Sequence, residues 1–353
     1  MTSPIELRSD NAAGVAPEIL AAVTAANTGS ALAYGADPLT EQLEQVVRGV
    51  FEHPRARVFP VTSGTAANAL SLSAATPPWG AVLCHHTAHI LNSEGGATSL
   101  LGGGAQMRGV GGDDFLIDPT ELQAALAATW WGDPHHSQPS VLSLTQPSDR
   151  GTVYPVARVA ELAAIAAGRG LRVHVDGARL ANALAATGAT PADMTWRAGV
   201  DVVSLGATKN GALSAEAIVV FDDAVADELV YRTKRAGHVT SKMRFQSAQL
   251  IAYLTDGLWL HLAANSNDRM TELSAGLAAL ADRGVRALNR PDVNMLFVEL
   301  PAGAPDALEA AGVLFYRMGD GPDGGPVARF VTSWQTTSGD VAEFLERLTR
   351  AVS

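Results

Sequence analysis

The chain has 353 residues, 47% of them hydrophobic and 17% charged, which is enough apolar material for one large domain and a smaller one. Its formal net charge is −11, from 25 basic and 36 acidic residues, which argues against nucleic acid as a partner because phosphate binding needs a basic surface. The single cysteine, Cys84, excludes an intramolecular disulfide and a cysteine-based zinc site, no run approaches the ~18 apolar residues of a membrane helix, and without a signal-peptide pattern at Met1–Arg8 a cytoplasmic location is expected.

In chain order, Arg57–Val61 is a short apolar strand, and Thr65–Ala75 is a helix opened by Thr62-Ser63-Gly64. Ala81–Cys84 is a further strand, with Cys84 as a small buried hydrophobe. A helix over Pro119–Ala128 has Asp118 as its cap and proline in first position. Ser140–Leu144 is a strand; the helix over Pro155–Ala167 carries Val156, Val159, Leu162, Ile165 and Ala166 on one stripe and ends at Gly168. Val173–Asp176, Val202–Leu205 and Ala217–Phe221 are strands. Strands separated by helices of this length imply parallel pairing through crossovers, so the fold class is α/β with a mostly parallel central sheet. From about residue 240 the pattern changes to helices over 241–260 and 267–281, strands at Asn294–Glu299 and Arg329–Ser333, and a last helix over Val341–Ala351. This divides the chain into a large domain over 1–238 and a smaller α+β C-terminal domain over 239–353.

In such a sheet, ligands sit beyond the carboxyl ends of the strands. Three polar motifs fall there: the Thr62–Thr65 turn, Asp176 with Arg179, and Lys209. The turn joins a strand to a helix, so free N–H groups and the positive end of the helix dipole favour a phosphate, with Gly64 permitting close approach and Ser63 and Thr65 adding hydroxyls. An ordinary helix cap would look the same, and neither GxGxxG nor GxxxxGK[ST] is present. Asp176 closes an apolar strand, where a carboxylate can hold a pyridinium nitrogen protonated or simply cap a helix. Lys209 lies in a small-residue loop after another strand, where it can form a Schiff base or stand solvated. Separately each has a bland explanation; at one sheet edge they point to pyridoxal 5′-phosphate (PLP).

These segments resemble the L-threonine aldolases, in their low-specificity bacterial form, within the fold-type I PLP enzymes and the threonine aldolase/β-eliminating lyase family. The resemblance is carried by Leu7-Arg8-Ser9-Asp10, Ala33-Tyr34-Gly35-Ala36-Asp37, the Thr62–Thr65 turn, Thr87-Ala88-His89, His174–Arg179, Thr208-Lys209, Ser241-Lys242-Met243-Arg244 and Arg329–Trp334, in order along nearly the whole chain. It implies that Lys209 holds the cofactor covalently, that Asp176 pairs with its ring nitrogen, and that Ser63, Gly64 and Thr65 bind its phosphate. His89 would lie over the ring and accept the proton of the substrate's β-hydroxyl, directly or through water. Ser9, Arg179 and Arg329 would contact the substrate carboxylate. Arg244 would face the cofactor of a neighbouring subunit, with Tyr34 near the same interface, in a homodimer or homotetramer. Taken alone, His89, His85 and His86 are polar loop residues, and His135-His136 lack the third ligand of a metal site, so no metal is expected. Glu94 either positions His89 or is solvated, and His174 shares a strand face with Asp176 and would orient it. The sequence departs from the family where a second active-site histidine commonly follows the strand at 140–144: Thr145–Arg150 contains none, and Gln146 or a water would have to serve.

The implied activity is retro-aldol cleavage of β-hydroxy-α-amino acids (L-threonine, L-allo-threonine, phenylserine-like) to glycine and an aldehyde. A β-eliminating lyase or an aminotransferase would share the same lysine, aspartate and phosphate turn. A non-catalytic PLP-fold ligand-binding protein is the alternative from another class.

Overall fold

The computed structural model describes residues 4–353. Its strands, in chain order, are β1 (Ile5–Glu6), β2 (Arg57–Val61), β3 (Gly80–His85), β4 (Gln106–Val110), β5 (Gln138–Thr145), β6 (Arg172–Gly177), β7 (Val202–Leu205), β8 (Glu216–Val220), β9 (Arg286–Ala287), β10 (Met295–Glu299), β11 (Val313–Leu314), β12 (Tyr316–Asp320) and β13 (Pro326–Val331). Seven of them form one sheet in the order β2-β8-β7-β6-β5-β3-β4. β3 pairs in parallel with β4 and β5, and β6 in parallel with β5 and β7, as helical crossovers require. β8 is antiparallel to both β7 and β2, the minority pairing in the mostly parallel sheet that was expected. Its cause is the connection over 206–215, which is too short for a crossover.

Period-two alternation sends the sheet's side chains to two cores. On one face Leu142, Leu144, Val173, Val175, Val203 and Val219 pack against Val159, Leu162 and Ala166 of helix Val156–Ala167. On the other, Val82, Cys84, Val141, Val202 and Ile218 pack with Leu70 of helix Gly64–Ala75 and Leu229 of helix Asp223–Arg235. A sheet covered on both sides by helices is a three-layer α/β architecture.

A second sheet, β12-β13-β10-β9, is antiparallel. Leu296, Val298, Phe330, Phe344 and Leu348 form its core, with the Phe330 ring against both Phe315 and Phe344. Each core also draws on residues from the other part of the chain. β1 pairs with β11 and places Ile5 and Leu7 in the smaller core. Leu250, Tyr253, Trp259 and Leu262 belong to the larger one. The helices of this region also break elsewhere than expected: Arg244–Leu254 and Leu258–Ala278 are separated by a turn at Thr255–Gly257. There Asp256 and Gly257 take φ of 52° and 72°, the left-handed region that ends a helix.

The consequence for function is a shared edge. The carboxyl ends of β2, β3, β5, β6 and β7 and the start of β8 lie together, because Thr145 pairs with Asp176, Asp176 with Ser204, and Val61 with Glu216. No helix among the described residues is long and apolar enough to cross a membrane.

Candidate active site

A cleft of about 580 Å³ opens at this edge and extends to the small sheet, a size suited to a cofactor with its substrate. Helix Gly64–Ala75 starts at its floor. Ser63 is extended (φ −152°), and its Oγ accepts the N–H of Ala66 at 3.2 Å, which starts the helix at once after β2. The N–H groups of the first turn find no carbonyl within the helix and point into the cleft with the positive end of its dipole. A Cβ built on Gly64 meets nothing within 4 Å, so that side of the turn is open. Ser63, Gly64 and Thr65 all line the cleft.

One helical turn on, Asn68 is buried and spans two carboxylates, its Nδ2 donating to Asp176 Oδ2 at 3.1 Å and to Glu94 Oε1 at 2.9 Å. Asp176 is 3% exposed, and its other oxygen accepts the N–H of Ala178 at 3.1 Å. Its orientation is therefore fixed by Asn68 and a backbone amide. His174, expected to orient it, does not hydrogen bond to it. The imidazole Nδ1 meets Ser143 Oγ at 2.8 Å and Nε2 meets Ser204 Oγ at 2.9 Å, and burial pushes its pKa down to about 4. Both residues do share one strand face, but β-pleat spacing leaves each side chain to the neighbouring strands rather than to the other.

Lys209 sits in the 3₁₀ turn Thr208–Asn210, half-buried in the cleft. The turn is held from three sides. Asn210 Nδ2 donates to Tyr253 Oη at 3.0 Å and to the Trp259 carbonyl at 2.8 Å. Tyr253 Oη donates to the Gly206 carbonyl at 3.0 Å. Glu216 Oε2 accepts the Ala207 N–H at 2.7 Å. Burial pushes the Glu216 carboxyl above its ordinary range, while that amide, Thr208 and the Lys209 charge act in the opposite direction. Gly206 is required where it stands, because a Cβ there would lie 2.2 Å from the Ala178 carbonyl oxygen.

Toward the small sheet, Arg179 and Arg329 line the cleft with Ser9. Arg179 forms a fork with Asp10, Nε to Oδ2 at 2.6 Å and Nη2 to Oδ1 at 2.9 Å. Burial opposes charge on Asp10, yet the Arg179 charge and these bonds prevail and hold its carboxyl below the usual range. Asn294 Nδ2 donates to the same carboxylate at 3.1 Å. Arg329 is less engaged: Nη2 donates to the Arg8 carbonyl at 3.2 Å, the guanidinium stands 5.1 Å over the Tyr316 ring, and Nε is buried without a partner. Burial, and then the Arg179 charge, push its pKa down. A guanidinium in that condition is an anion site. Ser9 Oγ accepts the Asn11 N–H at 3.2 Å.

His89 Nδ1 lies 3.1 Å from Glu94 Oε1, and its backbone N–H donates to Asp149 Oδ2 at 3.0 Å. The Glu94 hydrogen bond raises the His89 pKa against the opposing effect of burial, with help from the charges of Asp176 and Asp149. Gln146, expected to serve in place of a histidine, is turned away. Its Nε2 donates to the Tyr154 carbonyl at 2.8 Å and its Oε1 accepts the Tyr154 N–H at 3.0 Å, both buried. Asp149, three residues on, lines the cleft instead. Arg244 stands apart from the cleft of its own chain: Nη2 donates to the Gly29 carbonyl at 3.4 Å and Nε is buried without a partner.

Of the sequence candidates, Ser9, Ser63, Gly64, Thr65, His89, Asp176, Arg179, Lys209 and Arg329 thus line one cleft. Asn68, Asp149, Glu216 and Asp10 had no individual role assigned from the sequence, although the Leu7–Asp10 match contains Asp10 and the Thr145–Arg150 stretch contains Asp149. The β-eliminating lyase family profile matches residues 6–302 of this chain. A low-specificity L-threonine aldolase of Pseudomonas sp. (strain NCIMB 10558) is 36% identical over 339 residues, 96% of this chain and 95% of that one. The chain belongs to the β-eliminating lyase family. Within it, the lyase stands beside the low-specificity L-threonine aldolases, as the sequence resemblance implied. A Pseudomonas aeruginosa protein of the same description is 37% identical, covering 94% of this chain and 93% of its own. The Leishmania major threonine aldolase structure superposes with a TM-score of 0.92 at 27% identity, covering 99% of this chain and 100% of that one.

Proposed function

We infer that the protein is a PLP-dependent carbon–carbon lyase that cleaves L-threonine and related β-hydroxy-α-amino acids to glycine and an aldehyde. The observation that carries this is the convergence, in one cleft, of an amine (Lys209), a buried carboxylate (Asp176) and an open helix start (Ser63–Thr65). The donor set fits the cofactor: N–H groups for a dianionic phosphate, a carboxylate for a cationic ring nitrogen, and a lysine for an aldehyde carbon. When bound, PLP supplies an electron sink for the pair released at the substrate's Cα.

The chain's own residues do the rest. Ser63, Gly64 and Thr65 would hold the phosphate, Asp176 the ring nitrogen, and Lys209 would supply the amine for the covalent link. Arg329 and Ser9 bind the substrate carboxylate, and Arg179, neutralised by Asp10, backs them. Holding the carboxylate would fix the orientation of the substrate's Cα bonds in the cleft, and with it which bond breaks. His89 stands at the β-hydroxyl end of the substrate. A cytoplasmic location, supported by the buried unpaired Cys84, and a homodimer or homotetramer complete the reading. The segment bearing exposed Leu32 and Tyr34 contacts Ser241 and Arg244, which supports an interface there.

Incubating the purified PLP-loaded protein with L-threonine, L-allo-threonine or phenylserine is expected to yield glycine and aldehyde in equal amounts. Pyruvate and ammonia in their place would mark an eliminating lyase. Arg329→Ala is expected to lower kcat/KM for L-threonine about 10- to 100-fold, the value of a charge-assisted pair. Unchanged KM and kcat would remove Arg329 from the carboxylate site.

A further inference from the structure

His89 is engaged at Nδ1, which leaves Nε2 as its one ring nitrogen free to meet the β-hydroxyl oxygen. Its Nδ1 is bonded to Glu94, and the carboxylates of Glu94, Asp176 and Asp149 all favour its protonated form. A ring nitrogen that donates to the substrate oxygen stabilises its developing charge, and the hydroxyl proton then needs another acceptor. Cleavage therefore calls for a second group at that end of the cleft.

Asp149 has the geometry for it. Oδ2 accepts the His89 N–H at 3.0 Å, which anchors the carboxyl beside the imidazole. Its other oxygen has no hydrogen-bond partner among the described residues and the residue lines the cleft, so that oxygen is available to a ligand. The groups facing it are Asp176 from β6, His89, Arg179 at the end of the β6 turn and Arg329 from β13. Burial, and then the Asp176 charge, raise its pKa, while His89 and Arg179 act the other way. A carboxyl with a raised pKa is, once ionised, a stronger base than an ordinary one.

We propose that Asp149 takes the β-hydroxyl proton in the cleavage step, while His89 donates a hydrogen bond to the same oxygen. This rests on the aldolase reading above. The O–H proton passes to the Asp149 carboxylate as the carbonyl C=O forms and the Cα–Cβ bond breaks. The bond's electron pair stays with the glycine fragment, which PLP would stabilise when bound. One proton returned to that carbon completes glycine, and Asp149 gives up the proton it took.

The test is Asp149→Asn in the PLP-loaded enzyme. The amide oxygen can still accept the His89 N–H, but the side chain cannot carry the proton. Cleavage of L-threonine is expected to fall about 100-fold or more. Exchange of the glycine Cα proton in D₂O, which needs no hydroxyl proton, is expected to change less than about threefold, as is the absorbance titration by glycine. The acid limb of the wild-type kcat/KM profile, where Asp149 protonates, is expected to vanish. Cleavage above a third of wild type overturns the proposal, and so does a parallel loss of cleavage and exchange, which would mark a structural role. Asp149→Ser, smaller and unable to strain the loop, is the second variant, expected to behave like Asp149→Asn and read by the same pair of rates. Wild-type enzyme that yields no glycine from any β-hydroxy amino acid would defeat the aldolase reading instead.

Discussion

Lys209→Ala is expected to abolish aldehyde release from L-threonine and to remove the visible absorbance of the lysine–cofactor link. Two other cationic side chains line the cleft beside the histidine, Arg179 and Arg329, and a guanidinium stays protonated in proteins and cannot attack an aldehyde carbon. Lys209 is the one lysine there. The substitution should leave the fold in place. The turn that carries Lys209 is held by Asn210, Tyr253 and Glu216 through the backbone of 206–207 and the carbonyl of Trp259, and none of these bonds uses the lysine amine. A stability change within about 1 kcal/mol is expected, because no cavity or broken network results. Absorbance after PLP addition, thermal melting and glycine formation from L-threonine together decide it. Full turnover in the variant, with no amine added, would remove Lys209 from the chemistry.

The fold was legible where local signals and global pairing agree. β2 and β7 were readable to the residue, and β3, β5 and β6 within two at each end, because apolar runs bounded by helical periodicity leave few alternatives. β8 was readable as a strand but not in its direction, which depends on the length of a loop whose conformation no periodicity encodes. The helix break at Asp256-Gly257 was hidden because an apolar pattern runs through it, and only the left-handed backbone there separates the two helices. At the site, motif-bearing residues were accessible and their supports were not. Asp176 lies at the end of β6 and Lys209 in the turn that follows β7, so the pairing of those two strands brings them to one edge. Asn68, Glu216 and Asp10 act across 108, 9 and 169 residues of chain, and each resembles an ordinary helix, strand or loop residue until the partner is seen. Gln146 and Asp149 share one polar loop, and which of them faces the cleft is decided by the Gln146–Tyr154 hydrogen bonds.

Replacing Asp176 is expected to have the second large effect, and to leave a signature that a structural lesion would not. Asp176→Asn keeps the shape of the side chain and an oxygen to accept the Ala178 N–H, but it removes the charge that supports a protonated ring nitrogen. A fall of about 100-fold or more in kcat corresponds to about 2.7 kcal/mol of lost transition-state stabilisation. The same charge also raises the pKa values of His89 and Asp149. Removing it lets both fall, so the residual activity should show its acid and alkaline limbs displaced to lower pH. The sign is fixed: a nearby anion favours the protonated form of each group, and its loss favours the deprotonated form. Should the variant retain kcat within about threefold of wild type, Asp176 does not meet the ring nitrogen. A large loss of kcat with both limbs unmoved would place its effect elsewhere than in the shared field of the cleft, and would detach it from the His89–Asp149 pair that this field is argued to tune.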